Sequence, residues 1–301
     1  MKRRLLYLIN PISGIKAKKR SLLKDTITKR TNQKNIPFEI EDTRADGNYN
    51  YLLKKVKEEE ITDVIICGGD GTVNKIAAAL INVNVNLGII PSGSGNGLAY
   101  TLKLPDNVED ALKIIFARKT KLIDAFYINE NFSCMLCGIG MDAKIAHDFA
   151  KQKTRGLSTY VKESLKNFFN STHYNFTLKI NDQKINTDAF FISIANSNQF
   201  GNNFTIAPKA SLHDGMLDIV IVKKMNKAKL LWAMGMHLKF GKVMSADAIQ
   251  EFNNDILYFQ ADQLKITNHH NAPLHIDGDP SETAKEFKIK IIPKALRMLH
   301  P

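Results

Sequence analysis

The sequence predicts an N-terminal doubly wound α/β domain followed by an antiparallel, sandwich-like β domain. Three observations carry that reading. Strand-like and helix-like segments alternate through the first third of the chain, which argues for parallel strands with helices on both faces. Three of those strands end in turn-forming sequences, "NPISG" (10–14), "GGDGTVN" (68–74) and "PSGSGNGLA" (91–99). After Lys121 the pattern changes to strand-like runs with few helices.

In order, the first domain reads as the strand "RRLLYLIN", a basic helix near 17–34, the strand "FEIED" and a helix near 49–60. The buried strand "ITDVIIC" (61–67), a helix beginning near Thr72 and the strand "NLGIIPSG" follow. "ITDVIIC" is short, β-branched and apolar, whereas Val73, Ile76, Ala77 and Leu80 recur at helical spacing. The second domain reads as "LIDAFYIN", "FSCMLCGIG", "YNFTLKI", "AFFISIAN", "MLDIVIV", "LKITN", "PLHIDGD" and "FKIKIIP", interrupted by a charged helical stretch near 144–169. The boundary falls near 122, giving domains of 1–122 and 123–301, and the closing "PKALRMLHP" can pack on either one. Open α/β sheets bind ligands beyond the carboxyl ends of their strands, so neighbouring strands would bring the three loops to one site.

A chain of 301 residues, 44% hydrophobic and 24% charged, is long enough for two cores. The apolar run after the basic start stops at Asn10-Pro11, too early for a signal peptide, and no stretch approaches the length of a membrane-spanning helix. The expected location is cytoplasmic, peripheral to a membrane. Cys134 and Cys137 lie three apart on a strand and point to opposite faces unless the segment bends, so they read, like Cys67, as buried small hydrophobes. Net charge is +12, with ten Lys or Arg against one acid in residues 1–30 and six Lys without an acid in 223–242. Nucleotide phosphates or an anionic membrane suit that balance. Nucleic acid does not, since no zinc-finger spacing or aromatic RNA-binding motif is present.

The stretch "CGGDGTVN" (67–74) puts three glycines and one carboxylate where a strand turns into a helix. Helix N-termini present unpaired N–H groups and a positive dipole end, and glycine lets a phosphate approach the main chain. The chain contains no G-x-x-x-x-G-K-[ST], so the P-loop is excluded and backbone amides must carry more of the phosphate. Asp70 would repel a phosphate; it reads as a Mg²⁺ holder or an orienter of the acceptor hydroxyl, with capping of the following helix as the alternative.

Taken together, "NPISG" (10–14), "GGDGT" (68–72) with Asn74, "PSGSGN" (91–96), "GIGMD" (138–142), "DGMLD" (214–218) and "IDGD" (276–279) resemble the diacylglycerol kinase catalytic family, which includes bacterial soluble lipid kinases, sphingosine kinases and ceramide kinases. The resemblance covers nearly the whole chain in order and spacing. It implies ATP-dependent phosphorylation of a hydroxyl on a diacylglycerol-like or sphingoid-like lipid, hence a place in lipid metabolism and phospholipid biosynthesis, with the active site in the cleft between the domains. It also implies that Gly68, Gly69, Asp70, Gly71, Thr72, Val73 and Asn74 hold the ATP phosphates, and that Asn10, Thr43 and Ser94 complete the nucleotide site.

The family assigns its general base to the Glu of a "DGE" turn. Here Asp279 stands in that position, one methylene shorter, so that either the turn sits closer to the substrate, or catalysis is weaker, or Asp277 shares the work; a plain β-turn is the bland reading. "SLHDGMLD" (211–218) resembles the family's second, structural metal site. Asp214 would give a carboxylate oxygen, and Ser211 and Met216 would give backbone carbonyls, a hard-oxygen set for Mg²⁺ or Ca²⁺; an ordinary turn is the alternative. His213, His237, His269, His270 and His275 lack zinc spacing and read as non-ligands. Asp142 matches an Asp that reads the polar head of the substrate in sphingosine kinases, and it serves equally as the N-cap of "AKIAHDFAK".

Two rival functions remain. An NAD kinase shares the glycine loop, and a non-catalytic nucleotide-binding regulatory protein is compatible with Asp279 standing where Glu is expected. Residues 226–243, "NKAKLLWAMGMHLKFGKV", would form a helix with two apolar stripes; the one bearing Trp232 suits an anionic bilayer surface, with full burial or a homodimer contact as the alternatives.

Overall fold

The computed structural model describes residues 2–11, 17–152, 172–180, 183–199, 207–226 and 255–301. All of the expected helix 226–243 beyond Asn226, the distal part of the helical stretch 144–169 and most of the "NPISG" loop lie outside the described residues. The chain divides into two compact units, Met1–Ile123 together with Lys294–Pro301, and Asp124–Pro293.

In the first unit the strands β1 (Leu5–Ile9), β2 (Phe38–Asp42), β3 (Asp63–Gly68) and β4 (Asn86–Pro91) run parallel in the order β4-β3-β1-β2. Helices α1 (Ala17–Asn32), α2 (Tyr51–Glu58), α3 (Asp70–Leu80), α4 (Gly97–Thr101) and α5 (Val108–Ala117) accompany them. All five residues of β1 are buried, as expected of a strand covered on both faces. Leu5, Tyr7 and Ile9 alternate onto one face, where they pack with Leu23 and Ile27 of α1 and with Leu112 and Ile115 of α5. Burying each such side chain contributes about 1.5–3 kcal/mol. The sequence reading missed α4 and α5. For α5 the signal was present: Asn107 caps it by accepting from Glu109 N and Asp110 N at 2.8 and 3.3 Å, ahead of apolar residues at helical spacing.

The second unit contains β5 (Thr120–Ile128, its first residues in the first unit), β6 (Asn131–Ser133), β7 (Leu136–Gly140) and helix α6 (Met141–Ala150). Then come β8 (Tyr174–Ile180), β9 (Gln183–Ala195), β10 (Leu217–Lys223), β11 (Ile256–Ala261), β12 (Gln263–Asn268), β13 (Leu274–Ile276), β14 (Asp279–Ser281) and β15 (Glu286–Leu299). The main order is β14-β13-β7-β9-β8-β12-β15, all antiparallel, with β10 joining β9 to β11. Its core includes Phe126, Phe176, Ile192, Ile219, Ile266 and Phe287. The "FSCMLCGIG" segment is not one strand: it breaks at Cys134 and Met135, between β6 and β7. All three cysteines are buried and unbridged. The last strand, β15, pairs with β12 through residues 286–290, and its Arg297 and Met298 run beside Asn86 and Leu87 of β4 in the first unit.

Candidate active-site residues

At the carboxyl ends of the parallel strands the first unit assembles a main-chain cradle. Gly69 and Gly93, which follow neighbouring strands, approach so closely that a Cβ on Gly69 would stand 3.0 Å from Gly93 Cα. A Cβ on Gly93 would run into Gly69 Cα, and backbone cannot yield as a flexible side chain can. This contact is the physical reason for glycine in both loops. Thr72 N and Val73 N both donate to Gly69 O, closing the first turn of α3. The Val73 side chain is buried, so of the predicted nucleotide residues it serves the core. The amides of residues 69–71 precede that first intrahelical bond, where helix geometry leaves donors facing outward.

Asn10, at the end of β1, ties into the same cradle. Its main-chain N donates to Cys67 O at 2.9 Å, and its side-chain Nδ2 donates to Thr72 Oγ1 at 2.7 Å. Thr43 N donates to Ile9 O at 2.8 Å, placing the end of β2 beside β1. Asp70 occupies the first turn of its own helix, but its carboxylate accepts from Gly97 N at 3.0 Å and Leu98 N at 3.3 Å, at the start of α4. The capping alternative thus holds for a different helix from the one expected, and Asp70 links the second loop to the third. Asn96, absent from the predicted site, makes the third loop possible. It adopts the left-handed conformation at φ 53°, where its Oδ1 accepts from Gly93 N and its Nδ2 donates to Gly93 O. Ser94 lies exposed within that loop, and Asn74 lies on α3.

In the second unit "IDGD" is a two-residue hairpin turn between β13 and β14, with Ile276 opposite Asp279. Asp277 and Gly278 have φ of 49° and 86°, the signature of a type I′ turn. The two acids differ sharply. Asp279 is exposed, whereas Asp277 is buried. Oδ1 of Asp277 accepts from Ser133 Oγ (2.6 Å), Met135 N (3.2 Å) and Leu136 N (3.0 Å), and Oδ2 accepts from Cys134 N (3.3 Å). This carboxylate organises the bend that divides β6 from β7. Asp277 thus serves the fold, and of the two acids in the turn Asp279 is the one that is exposed.

Asp142 is buried in the first turn of α6, while Gly140, at φ 113°, occupies the N-cap position expected of Asp142. The carboxylate accepts from Ala143 N at 2.7 Å and places Oδ2 3.5 Å from His275 Nε2.

The 211–216 loop folds over a further buried acid that sequence reasoning passed over, Asp124. It accepts from Gly215 N at 2.8 Å and donates its own N to Leu212 O at 2.7 Å. Nothing local marks Asp124, because its partners lie some ninety residues away. Asp214 is exposed and accepts from Met216 N at 3.1 Å; Ser211 Oγ accepts from His213 N at 3.3 Å. Among the described residues no three His, Cys, Asp or Glu side chains cluster as a metal site. A cation there would rely on Asp214, the carbonyls of Ser211 and Met216, and water, a hard-oxygen set that fits Mg²⁺ or Ca²⁺ in kind. Beside it, Tyr258 OH donates to buried Asp218, whose pKa burial raises.

Residues 4–128 match the diacylglycerol kinase catalytic domain, and residues 136–300 match the YegS C-terminal NAD kinase beta sandwich-like domain. A Chromohalobacter salexigens protein named probable lipid kinase YegS-like is 26% identical over 86% of this chain and 82% of its own. A protein of the same name from Xanthomonas oryzae pv. oryzae is 23% identical over 89% and 88%. The crystal structure of a diacylglycerol kinase from Bacillus anthracis str. Sterne superposes with a TM-score of 0.75 at 20% identity, covering 100% of this chain and 97% of that one, a likeness of fold. Among the described residues no helix is long and apolar enough to cross a membrane.

Proposed function

Because the chain belongs to the diacylglycerol kinase catalytic family, with the YegS-type C-terminal domain, and is a kinase, we propose that it transfers the γ-phosphate of ATP to a hydroxyl of a diacylglycerol-like or sphingoid-like lipid. The observation that carries the reading is the division of labour among its acids: Asp277 is consumed by the fold while Asp279 projects from the same turn into solvent. In the reaction the acceptor oxygen forms a bond to the γ-phosphorus, the bond from that phosphorus to the bridging oxygen of ADP breaks, and the hydroxyl proton passes to the Asp279 carboxylate.

The amides of residues 69–71 hold the phosphates, with Asn10, Thr43, Thr72, Asn74 and Ser94 around the nucleotide. Asp70 keeps the glycine loop and the 91–96 loop in register. Its carboxylate, a hard oxygen donor, would hold Mg²⁺, which would neutralise charge developing on the phosphate oxygens. Asp214 with the Ser211 and Met216 carbonyls would hold a second, structural cation. Basic residues near the chain start and in 223–242 support access to lipid from an anionic membrane surface.

The test is transfer from γ-³²P-labelled ATP into a total lipid extract and, in parallel, into NAD⁺. Label in the organic phase is expected. Label in NADP⁺ would favour the NAD kinase reading that the sandwich-like domain keeps in view, and nucleotide binding without transfer to either would favour a regulatory role.

A further inference from the structure

We propose that buried Asp142 and His275 form a positioning pair that holds the catalytic turn, so that Asp142 serves the enzyme's own hairpin instead of a substrate headgroup. This inference rests on the assignment of Asp279 as the base.

The argument begins at Gly138, which lies between His275 of β13 and Ser193 of β9 in strand register. A Cβ on Gly138 would collide with the Asp142 carboxylate and stand 2.5 Å from His275 Nε2. Glycine therefore opens a buried space on the sheet, and Asp142 reaches into it from the first turn of α6. His275 exposes no surface, so its ring cannot meet a substrate. Its Nδ1 instead receives the Gly278 N–H at 3.3 Å. That bond requires a bare Nδ1, which puts the ring proton on Nε2, the atom 3.5 Å from Asp142 Oδ2. A carboxylate facing one nitrogen selects the tautomer that leaves the other nitrogen an acceptor.

The Gly278 amide needs such a partner. In a two-residue hairpin the ladder pairs the residues flanking the turn, here Ile276 and Asp279, and leaves the central amides to find acceptors elsewhere. Asp277 N donates to Leu136 O at 2.8 Å, and Gly278 N donates to His275. Both central amides are thus pinned from within the protein, one residue from Asp279. His147 Nε2, 2.8 Å from Leu274 O, fastens α6 to the same strand.

The test compares His275→Leu, His275→Asn and Asp142→Asn, each alone and in an Asp279→Asn background. Hydrogen exchange at the Gly278 amide, ¹⁵N-histidine spectra, and phosphate transfer into total lipid extract are read. In His275→Leu, Gly278 exchange should quicken by about 10-fold or more and kcat fall by about 10- to 100-fold with the ATP KM unchanged, the scale of a misplaced catalytic group. His275→Asn, which keeps an acceptor near the Nδ1 position, should stay within about threefold of wild type in kcat, on the same reasoning. The wild-type spectrum should show a single neutral tautomer protonated on Nε2, and Asp142→Asn should disturb it. In the Asp279→Asn background, His275→Leu should cost nothing further. Unchanged Gly278 exchange, an Nδ1-protonated ring, or the same fractional loss of kcat in both backgrounds would overturn the positioning role. A fully active Asp279→Asn enzyme would instead remove the base assignment, a result distinguishable because the exchange and tautomer readouts do not depend on activity.

Discussion

Asp277 and Asp279 are two residues apart, chemically identical and physically opposite. Replacing Asp277 by Asn places an amide where a carboxylate receives three main-chain donors and a hydroxyl. We expect about 2–3 kcal/mol of lost stability in urea unfolding, since bonds to a buried charge are among the stronger ones and one carboxamide cannot satisfy both sides. Asp279→Asn should cost less stability than Asp277→Asn, because the side chain is exposed, while kcat falls by about 10²-fold or more at nearly constant KM. Asp279→Glu should hold or raise kcat. Equal damage to stability from both Asn variants would remove the distinction. From sequence the turn was legible, since Asp-Gly between apolar runs is a hairpin signal. Which acid the fold would consume was not: the partners of Asp277 are residues 133–136, and no local pattern encodes a contact across some 140 positions.

At the scale of elements, the loops after β1, β3 and β4 are held to one another by side chains more than by strand order alone. Asp70→Asn keeps the shape and can accept only one of the two α4 amides, at Gly97 or Leu98. The expected result is a rise in the ATP KM along with reduced turnover, read by steady-state kinetics; an unchanged KM would show that the loops hold their register without it. A different link joins β2 to α2. Hydrogen bonds from Lys55 and Arg4 lower the Glu39 pKa to about 2. A carboxylate depressed in the folded state stabilises it above the unfolded value near 4.5, and that contribution is lost as pH falls toward 2. The melting-temperature difference between wild type and Glu39→Gln should therefore be present at pH 6 and shrink between pH 4.5 and 2. It should be modest and salt-sensitive, because the side chain is about one-third accessible. A difference that stays constant through that window would assign the effect elsewhere. The long apolar strands were legible because β-branched runs such as 63–68 are unambiguous when buried on both faces. The five-residue α4 was not, since it begins at a glycine and owes its start to Asp70, twenty-seven positions earlier.

At the scale of the whole molecule, the division near residue 122 was readable from the change in pattern, but the return of residues 294–301 to the first unit was not, because "PKALRMLHP" reads equally well on either core. Leu296, Met298 and Leu299 are buried, and Leu299 joins the cluster that contains Leu5, Ile65 and Ile115. At about 1.5–3 kcal/mol each, their loss is comparable to the whole stability margin of a domain. A chain ending at 293 should lose nucleotide binding and its cooperative melt; retained ATP affinity would show that the first unit is complete without them.

The same strand sets an order of events at the ribosome. The first 123 residues emerge with the glycine-rich loops already synthesised, yet the strand that borders β4 follows some 170 residues later. At about 5–20 residues per second, the nascent first unit waits on the order of ten seconds with one edge of its sheet open. Exposed edges invite pairing with other chains. Nucleotide binding should therefore begin only after residues 294–301 have left the exit tunnel and paired with β4, well after the loops themselves have been made.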